Sequence, residues 1–194
     1  GGNFVSATPD TEFTAAAFKN CTLTVQISTK LNRSHLIHGK KALILPCLGR
    51  SEEDMQASGM QFISVENSMG IVHQSHGHLK PHSDLLLSEP AIVVGLANAT
   101  LKNTKTDWTA FASNYDLIRY KIEATIPGFE NYNKRVRIKG GFYLPNNARE
   151  NNFAPTASGK ANFTVNKTSD IKLESNQFIM MTIRTHDQYN TTIY

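Results

Sequence analysis

The chain has 194 residues, of which 40% are hydrophobic and 19% are charged, and its formal net charge is +4 at pH 7. No apolar run approaches the ~20 residues that a membrane-spanning helix requires, so the composition is that of a globular protein without a membrane span. The lysines and arginines are scattered, and no basic stripe with interleaved aromatic residues favours a nucleic-acid interface.

The first part of the chain predicts a helix followed by two strands. Thr8 is a candidate helix cap, with Pro9 at the first helical position. Residues 23–29 alternate apolar and polar side chains with β-branched character, which predicts a strand. Residues 42–45 form a continuous apolar run typical of a strand covered on both faces, and Pro46 ends it. This order of elements indicates α/β layering.

The middle of the chain predicts one more extended segment and three helices. Residues 61–66 have strand character, and Ser88 is a candidate cap for the helix that follows it. Apolar residues recur at helical spacing between residues 107 and 124, which predicts a single helix that Pro127-Gly128 ends. A short helix is expected over residues 129–136.

A loop-rich stretch after residue 140 indicates a change of domain. Gly140-Gly141 and Pro145-Asn146-Asn147 are strong turn signals, and we place the domain boundary after residue 147. Beyond it, residues 155–165 predict a turn that leads into a strand, and residues 178–183 predict a second strand. The two strands indicate the beginning of a β-rich domain.

The segment after the last predicted strand, residues 184–194, concentrates hydrogen-bond donors. It carries a guanidinium, an imidazole, two carboxamides, phenols and several hydroxyls. Such a set suits a large polar anion, for example a phosphate or a pterin, because these ligands need many convergent donors. The alternative is a solvated tail.

The two cysteines, Cys21 and Cys47, have no CxxC spacing. Alone they cannot form an iron–sulfur or structural zinc site, which needs about four ligands. We therefore expect buried free thiols in a reducing cytoplasm.

Four histidines lie close together in the sequence, at His73, His76, His78 and His82. Their spacing fits neither one helix face nor a zinc knuckle. The favoured interpretation is a loop that lines a cofactor funnel or meets solvent, and a metal site is the alternative.

The start of the chain has neither an initiator methionine nor a signal-peptide pattern. We expect the chain to be an excised piece of a longer, cytoplasmic protein.

Four groups of segments, taken in their order and spacing, resemble the formate-dehydrogenase-like branch of the molybdopterin oxidoreductases, specifically the catalytic alpha subunit. The resemblance spans nearly the whole chain. The first group is Gly1-Gly2-Asn3-Phe4 with Pro9-Asp10, and the second is residues 25–35, which end in Asn32-Arg33-Ser34-His35, with residues 42–50. The third group is Val65-Glu66-Asn67-Ser68-Met69-Gly70. The fourth is residues 158–163 with residues 182–192.

The resemblance implies a fold in two parts. Residues 1–147 would belong to an α/β, three-layer Rossmann-like domain of the dinucleotide-binding type. Residues 148–194 would be a linker and the first strands of a C-terminal β-barrel domain that also binds molybdopterin dinucleotide. The partners implied are the remaining domains of the same polypeptide and an electron-transfer subunit, with no nucleic acid and no membrane span.

The same resemblance implies the chemistry of the full-length protein. Its cofactor would be a bis(molybdopterin guanine dinucleotide) with molybdenum or tungsten, used in a two-electron redox reaction, and an iron–sulfur cluster could lie in an earlier region. The isolated fragment is expected to hold no cofactor and to be inactive, because this segment supplies no metal ligand and only part of each binding surface.

Candidate cofactor-binding residues follow from the matched positions. Gly2 lacks a Cβ and so lets the backbone approach a nucleotide, and Ser28-Thr29 end a strand at the ligand-facing edge of an α/β sheet. Glu89 is suited to accept hydrogen bonds from guanine N1 and its amine. The complete set is Gly2, Asn3, Ser28, Thr29, Glu66, Asn67, Glu89, Arg184, His186, Gln188, Tyr189, Asn190 and Thr191.

The residues themselves leave two other functions possible. One is a stand-alone α/β nucleotide-binding module, although neither GxGxxG nor GxxxxGK[ST] occurs in the chain. The other is a protein-interaction domain without a ligand, in which the polar C-terminal segment is only a tail.

Overall fold

The structure is a computed structural model that describes residues 4–181. The chain divides into two compact units, Gly1–Pro145 and Asn146–Tyr194. The described part of the first unit has mixed helices and strands, and its strands form three small sheets. The assignment of the two units to a Rossmann-like domain and to the start of a β-barrel stays a prediction.

The first unit opens with two helices and a parallel strand pair. Its first elements are α1 (Phe4–Ala7), α2 (Thr11–Lys19), β1 (Leu23–Ser28), a 3₁₀ turn (Arg33–Leu36) and β2 (Lys41–Pro46). β1 and β2 pair in parallel, with the register running from Leu23 opposite Lys41 to Ser28 opposite Pro46. Both strands were predicted from the apolar pattern, and both predictions are confirmed.

The start of α2 differs from the prediction. Its cap is Asp10, whose carboxylate accepts a hydrogen bond from the Phe13 amide at 2.8 Å. Thr8 does not cap this helix, because its hydroxyl donates to the Val5 carbonyl at 3.2 Å and so closes α1. Pro9 therefore precedes the cap and is not in the first turn.

Two antiparallel sheets follow β2. They are built from β3 (Asp54–Gln56) paired with β4 (Gly59–Gln61), and from β5 (Ile63–Glu66), β6 (Ile71–Ser75) and β7 (Phe142–Tyr143) in the order β5-β6-β7. The predicted segment 61–66 is extended, but it is divided at Phe62 between β4 and β5.

In the helical part of the unit, the helix after Ser88 and the short helix within residues 129–136 are confirmed, and one prediction is wrong. The helices of this part are α3 (Glu89–Thr100), α4 (Trp108–Ser113), α5 (Tyr115–Thr125) and α6 (Tyr132–Arg135). Ser88 caps α3 as predicted, since its hydroxyl accepts from the Ala91 amide at 3.4 Å. The single helix predicted over residues 107–124 is two helices. Asn114 is extended, and its side chain accepts from the Asp116 amide, because a short amide competes well with helical backbone bonding.

A small aromatic core joins the three-stranded sheet to α5 and α6. Its buried members are Val72, Tyr132, Val136 and Phe142, and Phe62, Ile122, Phe129 and Leu144 pack against them. The Phe142 ring meets the Tyr132 and Phe129 rings edge to face, a preferred aromatic arrangement. This core fixes β6 and β7 against the helices.

The face of the parallel sheet that carries Val25 and Leu43 is exposed. The prediction that β2 is covered on both faces is therefore wrong for the described part of the chain. Val25 and Leu43 are 45% and 51% exposed, although a parallel sheet normally carries cover on each face.

The second unit is described over residues 146–181, and this range contains turns but no helix or strand. The strand predicted within 155–165 is wrong, as is the part of the 178–183 strand that lies in residues 178–181. A strand needs a neighbour to bond its backbone, and here Phe163 and Phe178 are more than nine-tenths exposed. Residues 182–183 lie outside the described part. Across residues 4–181, no helix has both the length and the apolar character needed to cross a bilayer.

Candidate functional site

Three extended segments end side by side at one edge of the first unit. The Cys47 amide donates to the Ser28 carbonyl at 3.3 Å, and the Leu48 amide donates to the Leu87 carbonyl at 3.0 Å. Cys47 and Leu87 form a parallel bridge, so the segment before α3 extends the order of β1 and β2. Because neighbouring strands lie about 4.8 Å apart, the end of β1 and the start of α3 are about 10 Å apart along this edge.

An open cleft of about 660 Å³ lies at the ends of β1 and β2. We call it the strand-end cleft. Its lining includes Thr29, Lys30, Cys47, Gly49, Arg50, Glu52 and His82. The lysine, arginine and threonine supply donors, which suits an anionic group of the phosphate type.

Ser28 and Thr29 have different roles at this edge. The Ser28 hydroxyl donates to the Lys30 carbonyl at 2.7 Å and so shapes the turn that leaves β1. Thr29 lines the strand-end cleft. The turn therefore presents Thr29 and Lys30 to the cleft, and Ser28 supports them.

A tight turn from Gly49 to Glu52 forms one wall of the strand-end cleft. The Glu52 carboxylate accepts hydrogen bonds from the Gly49 amide at 2.6 Å and from the His82 amide at 3.3 Å. Both carboxylate oxygens are thus engaged with backbone. Glu52 organises the wall, and the neighbouring Arg50 donates to the Ser75 hydroxyl at 3.2 Å.

A second, smaller cleft of about 80 Å³ adjoins the same turn. We call it the helix-side cleft. It shares Gly49, Arg50 and Glu52 with the strand-end cleft, and its lining also includes Asp54, Gln61, Phe62, His76, Gly77, Ser88 and Glu89. Thr29 and Glu89 therefore lie on two clefts that meet at one turn.

Cys47 is buried and is part of the lining of the strand-end cleft alone. Burial raises the pKa of Cys47, and the negative charges of Glu89 and Glu52 raise that pKa further. A raised pKa keeps the sulfur protonated and weakly nucleophilic near neutral pH. Cys47 is therefore a packing residue of the site. Cys21 is exposed, so the prediction of two buried thiols is correct only for Cys47.

Tyr115 is buried and bonds two residues that line the helix-side cleft, Asp54 and Ser88. Its phenol donates to the Asp54 carboxylate at 2.6 Å and also bonds the Ser88 hydroxyl at 2.6 Å. Burial and the bond to the Asp54 carboxylate raise the pKa of Tyr115 above its ordinary value of 10.0. The phenol is therefore neutral and acts as a donor.

Glu66 and Asn67 lie away from both clefts, at the end of β5 and in the turn before β6. The Asn67 side chain accepts from the Met69 and Ile71 amides at 2.9 and 3.1 Å. Asn67 therefore shapes this turn, and neither residue is part of the lining of the two clefts.

The other candidate residues lie outside the described part of the chain. They are Gly2, Asn3, Arg184, His186, Gln188, Tyr189, Asn190 and Thr191. Their assignment to a cofactor stays a prediction.

The histidines do not form one loop cluster. His73 is a residue of β6, and the His76 and His78 rings meet edge to face with centroids 4.6 Å apart. Within residues 4–181, no group of three or more histidine, cysteine, aspartate or glutamate side chains is arranged to hold a metal ion.

A buried donor lies in the loop after β1. His35 is 6% exposed, and its Nδ1 accepts from the Asn32 amide at 3.0 Å. This assignment places the proton on Nε2, which has no acceptor among the described residues. A buried donor without a partner is unfavourable by about 1–3 kcal/mol, so an acceptor from outside these residues would fit here.

Several functional candidates were missed by sequence reasoning. Arg50 and Asp54 line the clefts and Tyr115 bonds Asp54, yet nothing local in the sequence connects Asp54 with a tyrosine in a later helix. Tyr115 was predicted only as part of an apolar helix face. The tight turn could have been recognised from Gly49 and Glu52, since a carboxylate three residues after a glycine can accept its amide.

The chain is similar over its whole length to much longer proteins. It is 50% identical over 195 residues to an uncharacterized oxidoreductase of Mycobacterium tuberculosis and equally to one of Mycobacterium bovis. It is 47% identical over 197 residues to protein YdeP of Escherichia coli. Each match covers 100% of this chain and 25–26% of the relative, so the chain spans about a quarter of the length of these curated relatives. No protein-family model matches the chain, and no solved structure gives a significant match.

Proposed function

We propose that the chain is part of an oxidoreductase and contributes a cofactor-binding surface to it. The observation that carries this proposal is the 50% identity, across the whole chain, to proteins named as oxidoreductases. The enzyme proposed is of the molybdopterin type and formate-dehydrogenase-like, with a bis(molybdopterin guanine dinucleotide) holding molybdenum or tungsten. Its partners are the remaining domains of the same polypeptide and an electron-transfer subunit, in the cytoplasm.

The residues of the strand-end cleft fit the anionic part of such a cofactor. Thr29, Lys30 and Arg50 supply a hydroxyl and two cationic donors, which are the groups that recognise a pyrophosphate. The carboxyl ends of parallel strands are also where open α/β sheets bind nucleotides. These three side chains would hold and orient the phosphates.

Glu89 would hold the guanine end. It is exposed at the start of α3 and lines the helix-side cleft. A carboxylate there can accept two hydrogen bonds from the base, one from N1 and one from the exocyclic amine. The cofactor supplies the two-electron redox chemistry when it is bound, and this chain supplies orientation and electrostatics.

The test is cofactor analysis of the full-length protein, expressed in cells that make molybdopterin. Metal content and released pterin and GMP are measured for the wild type, Glu89→Ala and Glu12→Ala. Glu12 is the matched control because it is also an exposed first-turn acid, in α2. We expect metal and pterin in the wild type, less GMP in Glu89→Ala, and a wild-type result for Glu12→Ala. A wild type without molybdenum, tungsten and pterin would refute the proposal.

A protein-interaction function is the second candidate. The exposed side chains of Val25 and Leu43 favour it, because apolar faces of this kind are normally covered. Thermal-shift measurements with GMP and GDP separate the two functions. Stabilisation by either nucleotide supports a nucleotide pocket, and no shift at millimolar concentrations favours the interaction domain.

A further inference from the structure

A line of hydrogen bonds connects the start of α3 to β3 through a buried tyrosine. Tyr115 is 2% exposed, and its phenol lies 2.6 Å from both the Ser88 hydroxyl and the Asp54 carboxylate. A carboxylate only accepts hydrogen bonds, so the phenol donates to Asp54 and its oxygen accepts from Ser88. Ser88 in turn accepts from the Ala91 amide. The donors therefore all point from the helix towards Asp54.

Further hydrogen bonds hold the Asp54 end and the tyrosine of this line in place. The Asp54 carboxylate also accepts from the Gln56 side chain at 2.6 Å, and the Tyr115 amide donates to the Gln61 side chain at 2.9 Å. The pair β3 and β4 is thereby bonded to the start of α5. Since Asp54 and Tyr115 are 61 residues apart in sequence, their bond joins parts of the unit that no short loop connects.

We propose that Tyr115 and Asp54 are positioning residues for Glu89, acting through the Ser88 cap. This inference rests on the proposed function, in which Glu89 binds the guanine base. Ser88 is the residue directly before Glu89, and the Tyr115 phenol fixes the direction in which the Ser88 hydroxyl points. Loss of the phenol frees that hydroxyl and lets the first turn of α3 shift relative to the helix-side cleft.

The effect on binding can be expressed as a fold-change. A hydrogen bond to a charged group typically changes an equilibrium by about tenfold or more, and part of this effect reaches Glu89 through the cap. We expect Tyr115→Phe to weaken binding of the guanine end by up to about tenfold. Glu89→Ala removes the contact itself and is expected to weaken it at least as much.

The chain offers a matched control for the tyrosine. Tyr132 is 4% exposed, and its phenol lies 2.6 Å from the Ser64 hydroxyl. Tyr132→Phe therefore removes the same group from a similarly buried site with an equally short bond. Tyr132 lies in the aromatic core, and neither Tyr132 nor Ser64 is part of the lining of the helix-side cleft.

The experiment compares Tyr115→Phe, Tyr132→Phe and Glu89→Ala in the full-length protein. The readouts are GMP released per protein, melting temperature, and hydrogen exchange of peptides that cover residues 88–92. We expect the melting temperature to fall in both tyrosine variants and to fall further in Tyr115→Phe, which also loses a hydrogen bond to a carboxylate. Only Tyr115→Phe should also speed exchange at residues 88–92 and lower the GMP content towards that of Glu89→Ala.

The positioning role is overturned if Tyr115→Phe and Tyr132→Phe give the same exchange at residues 88–92 and the same GMP content. A failure of the proposed function looks different. In that case GMP is absent from the wild type, or its content is unchanged in Glu89→Ala. Either result refutes Glu89 as a ligand, and with it the positioning role of Tyr115, whatever the exchange data show.

Discussion

Arg137 donates two hydrogen bonds to the carboxylate of Asp116, at 2.8 and 2.9 Å. Arg119 donates to the same carboxylate, and it also donates to the Phe62 carbonyl at 3.0 Å and to the Asn133 side chain at 2.7 Å. Both guanidinium groups lie over the Phe62 ring, at 4.0 and 4.9 Å from its centroid. Phe62 lines the helix-side cleft, so this arginine pair supports the wall of the candidate site.

Replacement of Asp116 should destabilise the first unit strongly. Arg119 is only 4% exposed, and Asp116→Asn leaves its charge buried without an ionised partner. Removal of one member of a buried ion pair typically lowers the free energy of unfolding by about 3 kcal/mol or more. Urea denaturation of the wild type and Asp116→Asn measures this difference.

Glu130→Gln is the control for that variant. Its carboxylate lies 3.8 Å from Arg135, and the glutamate side chain is 68% exposed. An exposed ion pair of this kind contributes little to the free energy of unfolding, so we expect no measurable change in the urea midpoint. Equal changes of the urea midpoint in Asp116→Asn and Glu130→Gln would contradict a stabilising ion pair between Asp116 and the buried Arg119.

The stability that Asp116 contributes should depend on pH. Burial alone would raise the pKa of Asp116, but hydrogen bonds from Arg137 and Arg119 outweigh it and lower that pKa below 3.8. A carboxyl with a lowered folded-state pKa stabilises the protein above its unfolded-state pKa and loses that effect as the pH falls through the folded-state value. The difference between wild type and Asp116→Asn should therefore be constant near neutral pH and shrink below about pH 4. Urea denaturation at several pH values tests this, and a difference that grows on acidification would refute it.

The two thiols should react very differently. Cys21 is exposed, whereas Cys47 is buried and its pKa is raised by burial and by Glu89 and Glu52. A maleimide should therefore modify Cys21 quickly in the native chain and Cys47 only after denaturation. Mass spectrometry of labelled peptides gives the result directly. Cys21→Ser is the control, and rapid native labelling in that variant would show that Cys47 is accessible.

Local sequence patterns were sufficient for the elements that position the site. The alternation over residues 23–29 predicted β1, the apolar run at 42–45 predicted β2, and Ser88 correctly predicted the start of α3. Each depends on side chains within a few positions of one another. The end of β1 and the start of α3 are therefore predictable without the Cys47–Leu87 bridge that brings them close together.

Local patterns could not predict contacts between residues that are distant in the sequence. Nothing in the sequence near Tyr115 indicates Asp54 as its partner, and helical spacing alone cannot show that Asn114 leaves the helix to cap the next one. The exposure of Leu43 has a different origin. Apolar character predicts that a side chain can be buried, but whether it is buried depends on which other elements are present.

Gly77 should be intolerant of any side chain. A Cβ at this position would lie 2.2 Å from the Glu52 carbonyl oxygen and 2.3 Å from the Ser51 carbonyl carbon, and both atoms belong to backbone that cannot move independently. The same backbone is held by hydrogen bonds from the His78 and Leu79 amides to the Ser51 carbonyl, at 3.0 and 2.9 Å. Overpacking of this kind typically lowers the free energy of unfolding by about 1–3 kcal/mol, and we expect Gly77→Ala to lie at the upper end.

Gly95→Ala is the matched control, because a Cβ at Gly95 would meet no atom within 4 Å and the residue lies inside α3. Alanine is the better helix former, so this variant should raise the free energy of unfolding by about 0.8 kcal/mol. We therefore expect changes of opposite sign in the free energy of unfolding of the two glycine variants, measured by urea denaturation.

Since Gly77 packs on the turn that forms a wall of both clefts, Gly77→Ala should also reduce the GMP content of the full-length protein, whereas Gly95→Ala should not. A stable Gly77→Ala variant with wild-type GMP content would show that the close approach of Gly77 to Ser51 and Glu52 is unimportant for the site.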